Sequence, residues 1–198
     1  MKTVYFDVDT QFDFILPTGG LYAPGAERIL GRVSALNRHA IATGSVLVST
    51  MDAHSEDDPE FQAWPPHCIV GTFGQRKPES TLLASRAVVS SKAGAWLDGG
   101  NSALAGQILL EKQNVDCFTN PNLAALLEAL DADRYVVYGV VTEICVQYAA
   151  FGLLATGKPV DIVEDAIRSL SDERAAETLQ GVRERGGRVV SSTSVLAG

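Results

Sequence analysis

The 198-residue chain is 46% hydrophobic and 20% charged, a balance that suits a folded core and excludes collagen-like, disordered or mucin-like architectures. Sixteen Lys and Arg against 24 Asp and Glu leave a net charge of −8 with no basic cluster, which excludes a nucleic-acid groove or an anionic membrane surface as the expected partner. The three cysteines, Cys68, Cys117 and Cys145, are odd in number and scattered, so they describe no disulfide framework and point to a reducing compartment.

In chain order, Thr3–Val8 reads as a strand, and Pro24–Thr43 carries Ile29, Leu30, Val33, Leu36 and Ile41 at helical spacing. Pro24 stands near the start of that pattern and Gly44 just past its end. Further strands are predicted at Ser45–Thr50, Ala87–Ser90, Gln107–Glu111, Tyr135–Gly139, Val160–Val163 and Arg188–Val190. Helices are predicted at Leu123–Leu130, Glu143–Thr156 and Asp172–Arg185. Short apolar strands alternating with helices imply a doubly wound α/β/α sandwich with a mostly parallel sheet. No repeat or linker divides the chain, so residues 1–198 are expected to form one domain. Asp7 and Asp9 interrupt the first apolar stretch before a signal-peptide core forms, and the longest apolar runs are too short to span a bilayer. A soluble cytoplasmic protein is the expectation.

In sheets of this kind ligands bind beyond the carboxyl ends of the strands, so the residues following each strand are the candidates. VVTEICV at Val140–Val146 opens an apolar helix in which Thr142 is a potential cap, placing Cys145 in the first turn. There the helix dipole would lower the thiol pKa, although a lone helix-start cysteine is more often packing than nucleophile. DVDTQFDF ends the first strand with Asp7, Asp9 and Asp13 as competing proton acceptors, each of which could equally be a turn residue. Lys112 and Lys92 each follow a strand and compete as the cation that would hold a neighbouring thiolate and carboxylate charged, against the plain alternative of a solvated lysine. The long segment Met51–Ala84 holds Asp52 and His54 two residues apart, and His67 behind a Pro-Pro pair. Mixed His and carboxylate ligands suit zinc, iron or manganese, but the spacing matches no short zinc motif.

Taken together, these segments resemble the nicotinamidase/isochorismatase-like cysteine hydrolase superfamily, from Tyr5 to about Asp165. DTQFDF resembles the family's DxQxDF, LEKQNVDCF the segment of its catalytic lysine, and GVVTEICV its GxxTDxCV. MDAHS resembles the DxH metal pair, and WPPHCIVGT the nicotinamidase stretch whose His is a metal ligand. The resemblance implies Asp9, Lys112 and Cys145 as the catalytic set and selects them from the alternatives above. It implies an oxyanion hole from the N–H groups of Val141 and Cys145, after a non-proline cis peptide at Val140–Val141. It also implies a divalent metal, zinc first with iron or manganese as alternatives, on Asp52, His54 and His67. Glu60 stands where many nicotinamidases have a further histidine, and so joins the ligand set with less support. Phe14 and Trp64 would line the ring pocket, the other reading of each being an ordinary core aromatic.

Two further departures bear on specificity: Ile144 stands where several nicotinamidases carry a polar residue, and Ser80–Ala105 is unlike the pyridine-amide enzymes. The implied activity is amide hydrolysis through a Cys145 thioester, nicotinamide being the first substrate and another small amide, a carbamoyl compound or isochorismate the alternatives. A non-catalytic oligomeric binding module on the same fold is the reading of another class. The expected partners are a small-molecule amide and further copies of the chain in a dimer or tetramer.

Overall fold

The β-branched runs of the chain form the strands β1 (Thr3–Val8), β2 (Val46–Asp52), β3 (Arg86–Val89), β4 (Gln107–Lys112), β5 (Arg134–Val140), β6 (Val160–Arg168) and β7 (Arg188–Val190). The computed structural model describes residues 1–94 and 106–198. All strand pairings are parallel, in the order β3-β4-β2-β1-β5-β6-β7. The chain builds outward from β1 in one direction as far as β3, then returns to build β5, β6 and β7 on its other side. This reversal makes β1 the topological switch point, where an α/β sheet opens a crevice for a ligand. Every residue of β1 is buried, because helices cover both of its faces.

On one face lie α2 (Leu30–Ala42) and the short α6 (Ser192–Leu196), with Val33, Leu36, Ala40 and Val195 packed against Tyr5 and Tyr138. On the other lie α3 (Leu123–Leu130), α4 (Gln147–Ala155) and α5 (Asp172–Glu184), with Leu123, Leu126, Leu130, Ala149 and Val182 against Val4, Phe6 and Val8. The spacing of three and four between the buried residues of α2 and α3 is what turns one stripe of each helix to the sheet. Gly44 ends the α2 turn at φ +70°, a conformation that a residue with a Cβ adopts at a cost.

The predicted helix at Glu143–Thr156 divides in two. Thr142–Val146 is a wide π-helical turn, with Ile144 outside helical φ/ψ, and α4 begins only at Gln147. Thr142 lies within that turn and its side chain caps nothing, contrary to the expected N-cap. Two helices absent from the sequence reading, α1 (Phe12–Ile15), which follows β1 directly, and α6, are too short to produce a periodic signal. The long segment after β2 is held by two short 3-10 turns, Pro59–Gln62 and Glu79–Thr81, and by a bridge between His54 and Ile69. Within Ser80–Ala105, residues 95–105 lie outside the described residues.

Candidate active site

Asp52 and Lys112 end β2 and β4, Asp9 follows β1 and Cys145 lies in the turn after β5, and the four meet at the carboxyl ends of the sheet. Asp9 is the first residue beyond β1 and stands at φ +49°. A left-handed non-glycine costs roughly 1–2 kcal/mol, so its surroundings must impose it. They do so through Thr50 on β2, which accepts from the Asp9 N–H at 3.2 Å and donates to Asp9 Oδ1 at 2.6 Å. Gly139 on β5 lies against the backbone of Val8, where a Cβ would collide with that strand. Lys112 is the last residue of β4 and is 1% exposed, whereas Lys92 is exposed. The two other aspartates of the first motif are engaged elsewhere. Asp7 pairs with Lys77 at 3.3 Å beneath the sheet ends, and Asp13 accepts from the N–H groups of Gly20 and Cys68.

The Lys112 ammonium is the hub of the site. It donates to Asp52 Oδ1 and to Cys145 Sγ, the latter at 3.7 Å, and lies 2.9 Å from Asp9 Oδ2. Burial works against its charge, but Asp52 and Asp9 outweigh that and raise the ammonium well above its ordinary pKa. It therefore remains a cation. Burial raises the Asp9 carboxyl, with Lys112 pulling it down and Asp52 pushing it up. Burial also raises the Cys145 thiol well above its ordinary value, against the pull of Lys112 and with help from Asp9 and Asp52. The sequence-based expectation of a dipole-lowered thiol is thus corrected. The π-helical turn provides no regular helix end, and two carboxylates oppose the charge of the thiolate.

Beside this group lie Asp52, His54 and His67, all buried, with candidate ligand atoms within 4.8 Å of one another. Asp52 Oδ2 faces His67 Nε2 at 3.5 Å and His54 Nε2 at 3.7 Å. Glu60 Oε2 approaches the same His54 nitrogen at 3.8 Å and groups with His54 and Asp58. Glu60 Oε2 and His54 Nε2 are buried without hydrogen-bond partners, which costs free energy unless a cation fills the space between them. Burial opposes protonation of His54, but Asp52 and Asp58 together lift its pKa above the ordinary value. The outer nitrogens are tied down as well. His67 Nδ1 is 2.8 Å from the Pro65 carbonyl, and His54 Nδ1 is 3.0 Å from Asp58 Oδ2, close in distance though without hydrogen-bond alignment. The donor set, two imidazoles and carboxylate oxygens, fits a divalent transition metal.

A narrow pocket, partly open to solvent, joins the two clusters. Cys145 and Val141 lie on its wall, after a cis peptide at Val140–Val141, and Phe14 and Trp64 form apolar faces.

The isochorismatase domain family matches residues 3–194, nearly the whole chain. The chain belongs to that family. Its relatives include a nicotinamidase of Saccharomyces cerevisiae, 24% identical over 93% of this chain and 94% of the relative. Among solved structures, an N-carbamoylsarcosine amidase of Thermoplasma acidophilum aligns at TM-score 0.78 and 26% identity, covering 97% of each chain. A pyrazinamidase of Pyrococcus horikoshii, solved in complex with zinc, shares the fold at TM-score 0.78 and 24% identity over 96% of this chain and 99% of the other.

Several residues of the candidate site escaped the sequence reading. Gln11 is buried and brackets Asp52, donating to its carbonyl at 2.8 Å and accepting from its N–H at 2.7 Å. It lies inside the DTQFDF segment, so its position there was the available signal. Asp58, four residues after His54, was legible only as one acid in an acidic stretch. Thr50, Val115 and Leu170 carried no signal, because nothing in their local sequence says that they face the site.

Proposed function

We propose that this hydrolase is a metal-dependent cysteine amidase, a single domain over residues 1–198, that converts nicotinamide to nicotinate and ammonia. The observation that carries the reading is the contact of one fully buried ammonium, Lys112, with the Asp9 carboxylate, the Cys145 sulfur and the Asp52 carboxylate. A binding module gains nothing from burying two acids, a lysine and a thiol together, since such groups cost free energy to desolvate.

Both the thiol and the Asp9 carboxyl are raised in pKa, so the pair passes a proton between near neighbours instead of losing it to water. Asp9 takes the thiol proton as Cys145 Sγ bonds to the carboxamide carbon, and Lys112 stabilises the negative charge that remains on the pair. The N–H groups of Val141 and Cys145 receive the oxyanion. Asp9 then delivers its proton to the departing amine, the C–N bond breaks, and ammonia leaves a thioester. Asp9 next activates a water, whose attack releases the carboxylic acid and returns the proton to sulfur. Asp52, His54 and His67, with Glu60 beside them, would hold a divalent ion, zinc being the first choice. When bound, that ion supplies a Lewis-acid anchor for a ring nitrogen of the substrate. Phe14 and Trp64 would flank the ring.

The test is ammonia release from nicotinamide by the metal-loaded protein, with Cys145→Ala alongside. Turnover lost in the variant supports the reading. Absent turnover in a protein with metal bound and Cys145 intact overturns nicotinamide as substrate. A second reading, an amidase for another small amide, has one specific observation in its favour, the apolar Ile144 beside Cys145 on the cavity wall.

A further inference from the structure

Glu143 precedes Cys145 by two residues and is 4% exposed. Its Oε1 accepts from the backbone N–H of Leu170 at 3.0 Å and of Ser171 at 2.9 Å. Oε2 is buried without a partner. Ser171 is the N-cap of α5, its hydroxyl accepting from the Arg174 N–H, so the carboxylate also lies at the positive end of that helix. The turn that carries the nucleophile is thereby tied to the turn between β6 and α5. Leu170 lies on the cavity wall yet is 47% exposed, so neighbouring side chains do little to hold it there. The pair of hydrogen bonds that the Leu170 and Ser171 N–H groups donate to Glu143 sets its position.

We propose that Leu170 is the specificity-determining residue at the mouth of the site and Glu143 its positioning residue, and that together they select small amides without a carboxylate. The inference rests on the amidase reading and deepens it. Leu170, Ile144 and Val115 give the entrance apolar walls, and the ionisable carboxyls on the lining are those of Asp52 and Glu60. Among the described residues, no Arg or Lys lines the cavity, and the segment 95–105, AWLDGGNSALA, contains neither. Lys112 is spent on Asp9 and Asp52. Asp52 and Glu60 would be matched in charge by the ion they hold, so the walls decide: a carboxylate-bearing amide would surrender its hydration there with no Arg or Lys to receive it, whereas a neutral amide loses little.

Charge selection can be read at Cys145 itself, without assuming any substrate. The metal-loaded protein is treated with iodoacetamide or with iodoacetate, and the alkylation rate at Cys145 is followed by peptide mass spectrometry. The ratio of the two rates is compared with that for mercaptoethanol. Wild type is expected to favour the neutral reagent by about tenfold more than mercaptoethanol does. Leu170→Arg should reduce that preference several-fold by giving the mouth a cation. Glu143→Ala should move the ratio toward that of the free thiol by releasing the 170–171 turn. Glu143→Gln keeps the acceptor and should restore the wild-type ratio, which a general loss of stability would not do. Leu170→Ala provides a second rim variant and should also lower the ratio.

A wild-type ratio equal to that of mercaptoethanol, or a folded Leu170→Arg with an unchanged ratio, overturns the assignment. Ammonia release from nicotinamide tests the amidase reading separately. A charge-selective Cys145 in a protein that releases no ammonia would sink that reading alone.

Discussion

Lys112 and Asp52 share a carboxylate that also faces the histidine pair: the lysine takes Oδ1, while Oδ2 turns to His54 and His67. The residue best placed to bind a metal thus also helps to keep the Lys112 ammonium charged. Against the effect of burial, Lys112, His54 and His67 hold the Asp52 carboxyl well below the usual carboxylate range. Asp52→Asn should therefore damage two functions at once. It is expected to lower bound metal by at least about tenfold, measured by elemental analysis after dialysis. Ammonia release should fall further than metal loss alone accounts for, when the variant is assayed with the ion in excess.

Lys112→Met removes the cation and leaves Asp9 and Asp52 facing each other without compensation. Breaking a buried charge cluster on one side costs about 3–5 kcal/mol. For a chain of this length that lowers Tm by roughly 6–20 °C. Calorimetry of the two proteins measures it. A Tm within a degree or two of wild type would mean that the two carboxylates are not charged together in the folded protein.

Asp9 and Lys112 push the Cys145 thiol in opposite directions, which gives Asp9→Asn a sign that is easily read. Burial is the largest reason for the raised thiol, and Asp9 adds to it through charge and hydrogen bonding. Removing that negative charge while keeping Lys112 favours the thiolate, so its titration should move to lower pH. Alkylation of Cys145 by iodoacetamide, followed against pH, should show the curve displaced in that direction. Ammonia release should fall by about 100- to 10,000-fold, because asparagine cannot carry the proton. Cys68 and Cys117 should stay inert throughout, since burial pushes both thiols up and neither lines the cavity.

The parallel sheet was legible because β-branched runs alternate with helical stripes, and six of the seven strands sit within two residues of their predicted ends; β6 runs on to Arg168. The choice of Asp9 over Asp7 and Asp13 was not legible from spacing. It follows from the left-handed turn at Asp9 and its bond to Thr50, a partner on another strand. Lys112 over Lys92 is likewise a matter of burial, which local sequence does not encode. The thiol's pKa was misjudged from the helix dipole because the π-helical turn and the neighbouring carboxylates are products of the tertiary fold. Leu170 and Glu143 meet across 27 residues, so neither residue's neighbours announce the contact.

Removing the ion should separate the two clusters. Chelation followed by desalting is expected to abolish ammonia release while Cys145 remains open to iodoacetamide, since Lys112 and Asp9 stay in place without the ion. Restoring zinc at about 100 times its Kd stabilises the fold by about 2.7 kcal/mol. That should appear as a rise in Tm of roughly 5–10 °C. An unchanged Tm across a zinc titration would count against a site on Asp52, His54 and His67.

Asp58 should matter to that ion without touching it. Its carboxylate lies 3.0 Å from His54 Nδ1, on the far side of the ring from Asp52 and Glu60. Its own position is held by the Glu60 N–H, which it accepts at 2.9 Å, so the same side chain braces the backbone of a second candidate ligand. A carboxylate on the outer nitrogen of a metal-binding histidine fixes the tautomer and makes the inner nitrogen a stronger donor. Asp58→Ala is therefore expected to weaken zinc affinity by about 10- to 100-fold. Asp58→Asn, which keeps an acceptor without the charge, should lose less. Competition with a zinc-binding dye gives both affinities directly. With zinc in large excess, Asp58→Ala should regain most of its ammonia release, because the thiol, Asp9 and Lys112 are untouched. If activity stays low at saturating zinc, Asp58 acts on the cavity itself and not through His54.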